Sequence, residues 1–463
     1  MLKLHAFAGT SVAVVGLGSS GLAAARALHA GGARVHAWDD VAGQREVAAE
    51  AGLPVTDPAG MPWPETALLV LAPGIPHHHP EPHPAAAMAR EAGVPIVCDV
   101  ELLARAHPEA TVVGVTGTNG KSTTTALIGH ILAHAGRAPR VGGNLGHPVA
   151  AFDPPAPDQP LVLELSSYQL ERAPSLHCRV AVLTMIAPDH LDRHGGMDGY
   201  AAAKRAVFAG QTAADTAVVG VDDPHAREIA ATLDGPAVTR VSAAGGNADV
   251  RLDGTALVDA RTGERVMDVA EAPALPGAHN RHNAAAAYAA CRALGVPAAE
   301  IAAAIRTFPG LPHRQETVAV IDGVTFVNDS KATNGDAAAR ALTSYDAVHW
   351  IVGGRAKADG LSATESHRGA VRAAYTIGEA GDAFADTLGE ECPTHRCGTL
   401  DAAVAAAFAA ARHDAAAAPV VLFSPACASF DQYADFAARG DHFKALVAGL
   451  PGTNGEPARE VAP

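Results

Sequence analysis

Short apolar runs that stop at polar or glycine-rich turns recur along the chain, separated by Ala-rich stretches with helical spacing. Ser11–Val15, Arg34–Trp38 and residues 67–72 read as strands, with a helix over 21–29 between the first two. A second series opens with a strand over 111–115, a loop over 116–122 and a helix over 123–135. Strands over 161–165 and 180–185 follow, and both run straight into polar residues. After the Pro/Gly cluster at 308–312 come strands over 318–321, 324–327, 349–352 and Val420–Phe423. Strands alternating with helices predict parallel, doubly wound sheets, and the Pro/Gly cluster marks a boundary. The expectation is an α/β chain of three domains over residues 1–99, 100–309 and 310–452, with a flexible tail over 453–463.

Length agrees, since 463 residues make about three domains at ~150 residues each. Hydrophobic residues reach 48% but aromatics only 4%, so the cores must be built from Ala, Val and Leu. A formal charge of −15 argues against a nucleic-acid partner. Any phosphate must therefore be held locally, by loops, backbone amides and metal ions. No apolar run reaches the roughly 18–20 residues that span a bilayer, and the first residues lack the apolar core of a signal peptide. The six cysteines are scattered, and Cys392 and Cys397 have no second pair to complete a zinc site. The expectation is a cytoplasmic monomer with no nucleic-acid or membrane partner.

Two glycine loops carry the chemistry. Gly16-Leu17-Gly18-Ser19-Ser20-Gly21 is a full G-x-G-x-x-G between strand and helix, with Asp39 at the end of the next strand. Its glycines let backbone approach a pyrophosphate at a helix N-terminus, and Asp39 would meet a ribose hydroxyl. This makes the first domain Rossmann-like and reads "diphosphate" without reading the base. A nicotinamide dehydrogenase would explain this loop alone. The second loop, Thr116-Gly117-Thr118-Asn119-Gly120-Lys121-Ser122-Thr123, ends in Gly-Lys-Ser, but Val115 stands where strict Walker spacing wants glycine. Its amides would wrap phosphates, Lys121 would neutralise them and the Ser122 hydroxyl would reach Mg2+. The central domain thus reads as a P-loop ATPase-like unit that binds ATP. A purely regulatory ATP module would leave the polar strand ends at Glu164, His190 and Asp329 unexplained.

Glu164 ends a buried strand at the sheet edge where α/β sites collect, and one carboxylate with a hydroxyl suits Mg2+. His190 follows another strand at that edge within Asp189-His190-Leu191-Asp192. Lys204 by itself begins an ordinary helix and is as readily solvent-exposed as functional. His77-His78-His79 with His83 reads as a solvated loop, because Pro residues flank it and no nearby carboxylate or Cys sets ligand geometry.

The departure from Walker spacing resembles the variant loop of the Mur ligases and folylpolyglutamate synthetases. Leu163-Glu164-Leu165-Ser166-Ser167-Tyr168-Gln169-Leu170, Pro188-Asp189-His190-Leu191-Asp192-Arg193-His194, Asn328-Asp329-Ser330-Lys331-Ala332-Thr333-Asn334 and Ser424-Pro425-Ala426-Cys427-Ala428-Ser429-Phe430-Asp431-Gln432 extend the resemblance to Mur ligases over nearly the whole chain. Within them it is similar to the branch that adds D-glutamate to UDP-N-acetylmuramoyl-L-alanine through an acyl phosphate. The D-N-P-R motif of the branch that adds a diamino acid is missing from the sequence. The resemblance implies that the first domain holds the UDP substrate through Ser19, Ser20, Asp39, Gly74 and Asn144. It implies ATP contacts from Gly117, Thr118, Asn119, Gly120, Lys121, Ser122, Thr123, Asn283, Arg314 and Asp329. Ser122, Glu164, His190 and a Lys204 carbamylated by CO2 would form the Mg2+ side, with Lys121, Glu164, His190 and Lys204 catalytic. Thr333, Lys357, Ser429, Phe430 and Phe436, on a Rossmann-like third domain, would hold the glutamate. Its D configuration rests on resemblance, since these contacts suit either enantiomer.

Overall fold

The central strands of three sheets are built from the short apolar runs. In a computed structural model described over residues 2–156, 158–357 and 360–452, the chain divides into two compact units. The first comprises Met1–Ala272 with Ala278–Phe308, the second Pro273–Gly277 with Pro309–Pro463. The tail expected over 453–463 lies outside the described residues.

In the first unit, β1 (Ser11–Val15), β2 (Arg34–Trp38), β3 (Thr66–Leu71) and β4 (Ile96–Val97) form a parallel sheet in the order β2-β1-β3-β4. A nine-stranded sheet follows. Its parallel part contains β5 (Val112–Thr116), β6 (Arg140–Gly143), β7 (Leu161–Glu164), β8 (Val180–Leu183), β9 (Thr216–Gly220) and β10 (Ala237–Ser242). β11 (Val250–Asp253) is parallel to β10, and β12 (Ala256–Asp259) and β13 (Glu264–Asp268) complete an antiparallel edge. The order is β13-β12-β11-β10-β9-β8-β5-β7-β6. β5, β7 and β8 are buried at every position because helices cover both faces, which is why they read as unbroken apolar runs. One apolar core runs from Val12 and Val70 of the first sheet, with Leu28 of the helix Ser19–Ala30, to Leu163, Ala181 and Val219 of the second.

The second unit holds β14 (Glu316–Ile321), β15 (Val324–Asn328), β16 (Val348–Gly353), β17 (Val371–Ile377), β18 (Thr394–Gly398) and β19 (Val420–Phe423), ordered β14-β15-β19-β16-β17-β18. β14 is antiparallel to β15, and the remaining pairs are parallel. Two apolar layers flank it, one around Phe326, Phe423 and Phe443 and the other around Trp350, Leu342 and Leu422.

Candidate functional site

Strand register sets the first group of residues. Val115 pairs with Glu164 and Thr116 with Leu183, while Gly143 on β6 also pairs with Glu164. The phosphate loop, Glu164, Asn144 and Thr184 therefore emerge at one edge, the C-terminal ends of parallel strands. Residues 117–120 lead into the helix Lys121–His134. Gly120 caps that helix with φ +82, and a Cβ there would stand 2.2 Å from Asn283 Oδ1. A Cβ on Gly117, at φ +145, would collide with Thr184 Oγ1 at 1.9 Å. Only glycine fits either place, which leaves loop amides free to face an anion. Thr184 Oγ1 lies 2.6 Å from Asn119 O, bracing the loop from β8. Lys121 folds back, its Nζ donating to Gly117 O and Thr118 O at 2.9 Å.

Glu164 is buried, and Asn144 Nδ2 donates to its Oε1 at 2.7 Å. Its Oε2 is buried with no hydrogen-bond partner. A carboxylate oxygen in that state is costly unless a cation meets it, and with the Ser122 hydroxyl on the first turn of the adjacent helix it fits Mg2+. His190 holds a left-handed backbone at φ +51 just before the helix Leu191–His194. Burial is the main reason its pKa is lowered, with the charges of Lys204 and Lys121 adding to this. Neutral imidazole is the ligating form.

Lys204 is 2% exposed, so the solvent-exposed alternative fails. Its Nζ donates to Gly117 O at 2.7 Å and stands 4.5 Å from the Tyr200 ring centre. Burial first, then the charge of Lys121, push its pKa down to about 6, against the opposing pull of Asp189 and Glu164. The side chain is then mostly free amine near neutral pH. Tyr200 went unnoticed in the sequence. It lies four residues before Lys204, on the same helix face, and its hydroxyl is 3.1 Å from Thr118 Oγ1.

At the edge of the first sheet, Ser19 and Ser20 start the helix Ser19–Ala30 directly after the glycine loop. Asp39 braces the glycine loop through its carboxylate. Its Oδ2 accepts from Leu17 N at 2.6 Å and its Oδ1 from Val41 N at 2.8 Å, so the carboxylate ties the glycine loop to the end of β2. Gly74 is exposed on the segment after β3. That segment is gripped by the buried Arg172, whose guanidinium donates to Leu71 O, Ala72 O and Pro73 O at 3.0, 3.3 and 2.8 Å. The histidine reading needs correcting at one position: His77 is buried, and its Nδ1 lies 2.8 Å from Arg193 Nη2.

The second unit gathers its own set at the C-terminal ends of β15, β16 and β19. Asp329 accepts from Ser424 Oγ at 2.7 Å and from Gln315 N at 3.2 Å, and burial raises its pKa to about 7. Arg314 is close enough to oppose that rise. Ser330 Oγ donates to Phe436 O at 2.8 Å, joining the segment that carries Thr333 to the start of the helix Phe436–Ala448. Ser429 is buried, Phe430 is 64% exposed, and Lys357 is exposed two residues beyond Arg355, which bridges to Ala428. Lys331 and Arg439 were not singled out from the sequence. Lys331 Nζ sits 3.7 Å from the Phe436 ring centre, and the buried Arg439 donates to Ser330 and Cys427. Lys331 lies within the run over residues 328–334, whereas nothing local marks Arg439.

Comparison with known proteins gives the same family. Residues 115–291 match the Mur ligase middle domain. The chain is 51% identical to a UDP-N-acetylmuramoylalanine–D-glutamate ligase of Rhodospirillum rubrum, over 98% of this chain and 97% of that one. It is 50% identical to the ligase of the same name from Phenylobacterium zucineum, over 96% and 98%. Among solved structures it resembles UDP-N-acetylmuramate-alanine ligase MurC from Thermotoga maritima, with a TM-score of 0.59 and 18% identity over 95% of this chain and 99% of that one. With its phosphate loop, its buried lysine and full-length relatives at half identity, this chain belongs to the Mur ligase family, among the UDP-N-acetylmuramoylalanine–D-glutamate ligases.

Proposed function

We propose that this chain uses ATP to join the amine of D-glutamate to the carboxyl group of UDP-N-acetylmuramoyl-L-alanine, a cytoplasmic step in making peptidoglycan precursors. The observation that carries the reading is the phosphate loop with Glu164 Oε2 buried and unpartnered on the strand beside it. The alanyl carboxylate attacks the γ-phosphate, giving an acyl phosphate and ADP. The glutamate amine then attacks the acyl carbon through a tetrahedral intermediate and expels phosphate. Lys121 leaves its carbonyl partners for the phosphates, and the loop amides with Asn283 hold the nucleotide in place. Ser122, Glu164, His190 and a carbamylated Lys204 would hold Mg2+, which neutralises phosphate charge when bound. The lysine amine adds to the carbon of CO2: an N–C bond forms, one C=O π bond opens to leave the charge on oxygen, and the amine's proton leaves to solvent. The free amine that burial favours is the form able to do this.

Positioning three reactants could supply about 7–11 kcal/mol of the barrier. In this reading the four-stranded sheet carries the UDP portion on Ser19, Ser20, Asp39 and Gly74, with Asn144 toward the sugar. Arg314 and Asp329 add ATP contacts, and Thr333, Lys357, Ser429, Phe430 and Phe436 take the glutamate. The test is phosphate release from ATP with each substrate omitted in turn. Release is expected only with UDP-N-acetylmuramoyl-L-alanine and D-glutamate together. Equal release with L-glutamate, or release with ATP alone, would refute it.

A further inference from the structure

The segment after β3 reaches the metal-side residues through side chains that the proposed chemistry does not use. His77, on that segment, is 8% exposed, and Arg90 donates to its carbonyl. A guanidinium can only donate, so the 2.8 Å contact with Arg193 Nη2 makes His77 Nδ1 an acceptor and the ring neutral. Burial and the charges of Arg172 and Arg193, which push the His77 pKa down to about 3, agree with that.

Arg193 is buried three residues after His190, lies 5.1 Å over the Tyr168 ring, and has its Nη1 3.8 Å from Glu171 Oε2. Glu171 Oε1 pairs with His194 Nδ1 at 2.8 Å, and His194 Nε2 is 2.9 Å from Ser167 Oγ. Tyr168 stacks on His194 at 5.5 Å and sits 5.1 Å from the His190 ring. A continuous line of contacts, buried at His77, Arg193 and His194 and half-buried at Tyr168, thus runs from the segment after β3 to the exposed His190. Were His77 only filler, an apolar side chain would serve. An acceptor facing a buried guanidinium is costly to delete, because the donor is left unpaired.

We propose that His77 and Arg193 form a positioning pair that couples seating of the UDP substrate to the orientation of His190, an inference that rests on the ligase reading above. Coupling between two sites is reciprocal and is read as a linkage factor. Calorimetry would measure binding of UDP-N-acetylmuramoyl-L-alanine to the full chain, with and without Mg2+ and a non-hydrolysable ATP analogue. In the wild type the nucleotide should tighten UDP-substrate binding by about five-fold or more. In His77→Leu the factor should fall to about two or less, whereas His77→Asn, whose amide oxygen can replace Nδ1, should recover it. Should His77→Leu fail to fold, Arg193→Lys carries the same test. Equal linkage in wild type and His77→Leu, or no recovery in His77→Asn, would overturn the pair. A wild type that does not bind the UDP substrate at all would instead remove the ligase reading beneath it.

Discussion

Lys204 shows how far a residue's role depends on its surroundings. Its sequence neighbourhood is an ordinary helix start, and only the fold reveals a buried amine pressed against Gly117. Lys204→Ala should lose nearly all ligase activity and regain part of it in short-chain carboxylate buffers; a fully active variant would end the carbamate proposal. The same amine sets a pH dependence of stability. Its folded pKa of about 6 lies below the ordinary 10.5, so between those values the unfolded chain binds more protons. Stability from this group therefore rises with pH across that window, and the burial cost is greatest below about pH 6. In CO2-free buffer, urea midpoints of the wild type should climb relative to Lys204→Met from pH 6 to pH 10. Parallel curves would mean that the amine is not held neutral. Glu164 stood out in the sequence because it ends an apolar strand, and His190 because it follows one in a polar run. The partner of His77 was not, since Arg193 lies 116 residues away in sequence.

The strand–loop–helix from β5 to His134 was legible as a unit because all its parts are local: a buried strand, glycines, a lysine and hydroxyls. Its tolerance is correspondingly narrow. Gly120→Ala would place a methyl group against Asn283 on a left-handed backbone. ATP binding should weaken at least about ten-fold, equivalent to about 1.4 kcal/mol, with little change in UDP-substrate affinity. Unchanged nucleotide affinity by titration would contradict the cradle described for this loop. The strands β9 to β13 were not legible. β11, β12 and β13 are four or five residues long and mix Asp, Arg and Glu with apolar residues, since an antiparallel edge keeps one face in water. The expected strand over 180–185 overran β8 by two residues; Thr184 N still donates to Thr116 O just past its end, while its hydroxyl braces Asn119.

Across the molecule, the proposed chemistry divides by ligand. Chelating divalent metal should abolish phosphate release and leave binding of the UDP substrate to the first unit intact; loss of both would place the metal in substrate binding as well. The α/β class was readable from the rhythm of apolar runs. What no local rhythm encodes is the stitching between sheets, and Arg172 is the clearest case. One guanidinium holds three successive carbonyls after β3 from beside the segment that follows β7. Heat should therefore find no weak seam there, and the four-stranded sheet should melt together with β5–β8 in one cooperative step. Arg172→Met should open that seam. Amide exchange in β1 and β3 would then quicken well below the midpoint while β5 and β7 stay protected. If all four strands keep exchanging in step, the cooperativity comes from the shared apolar core alone.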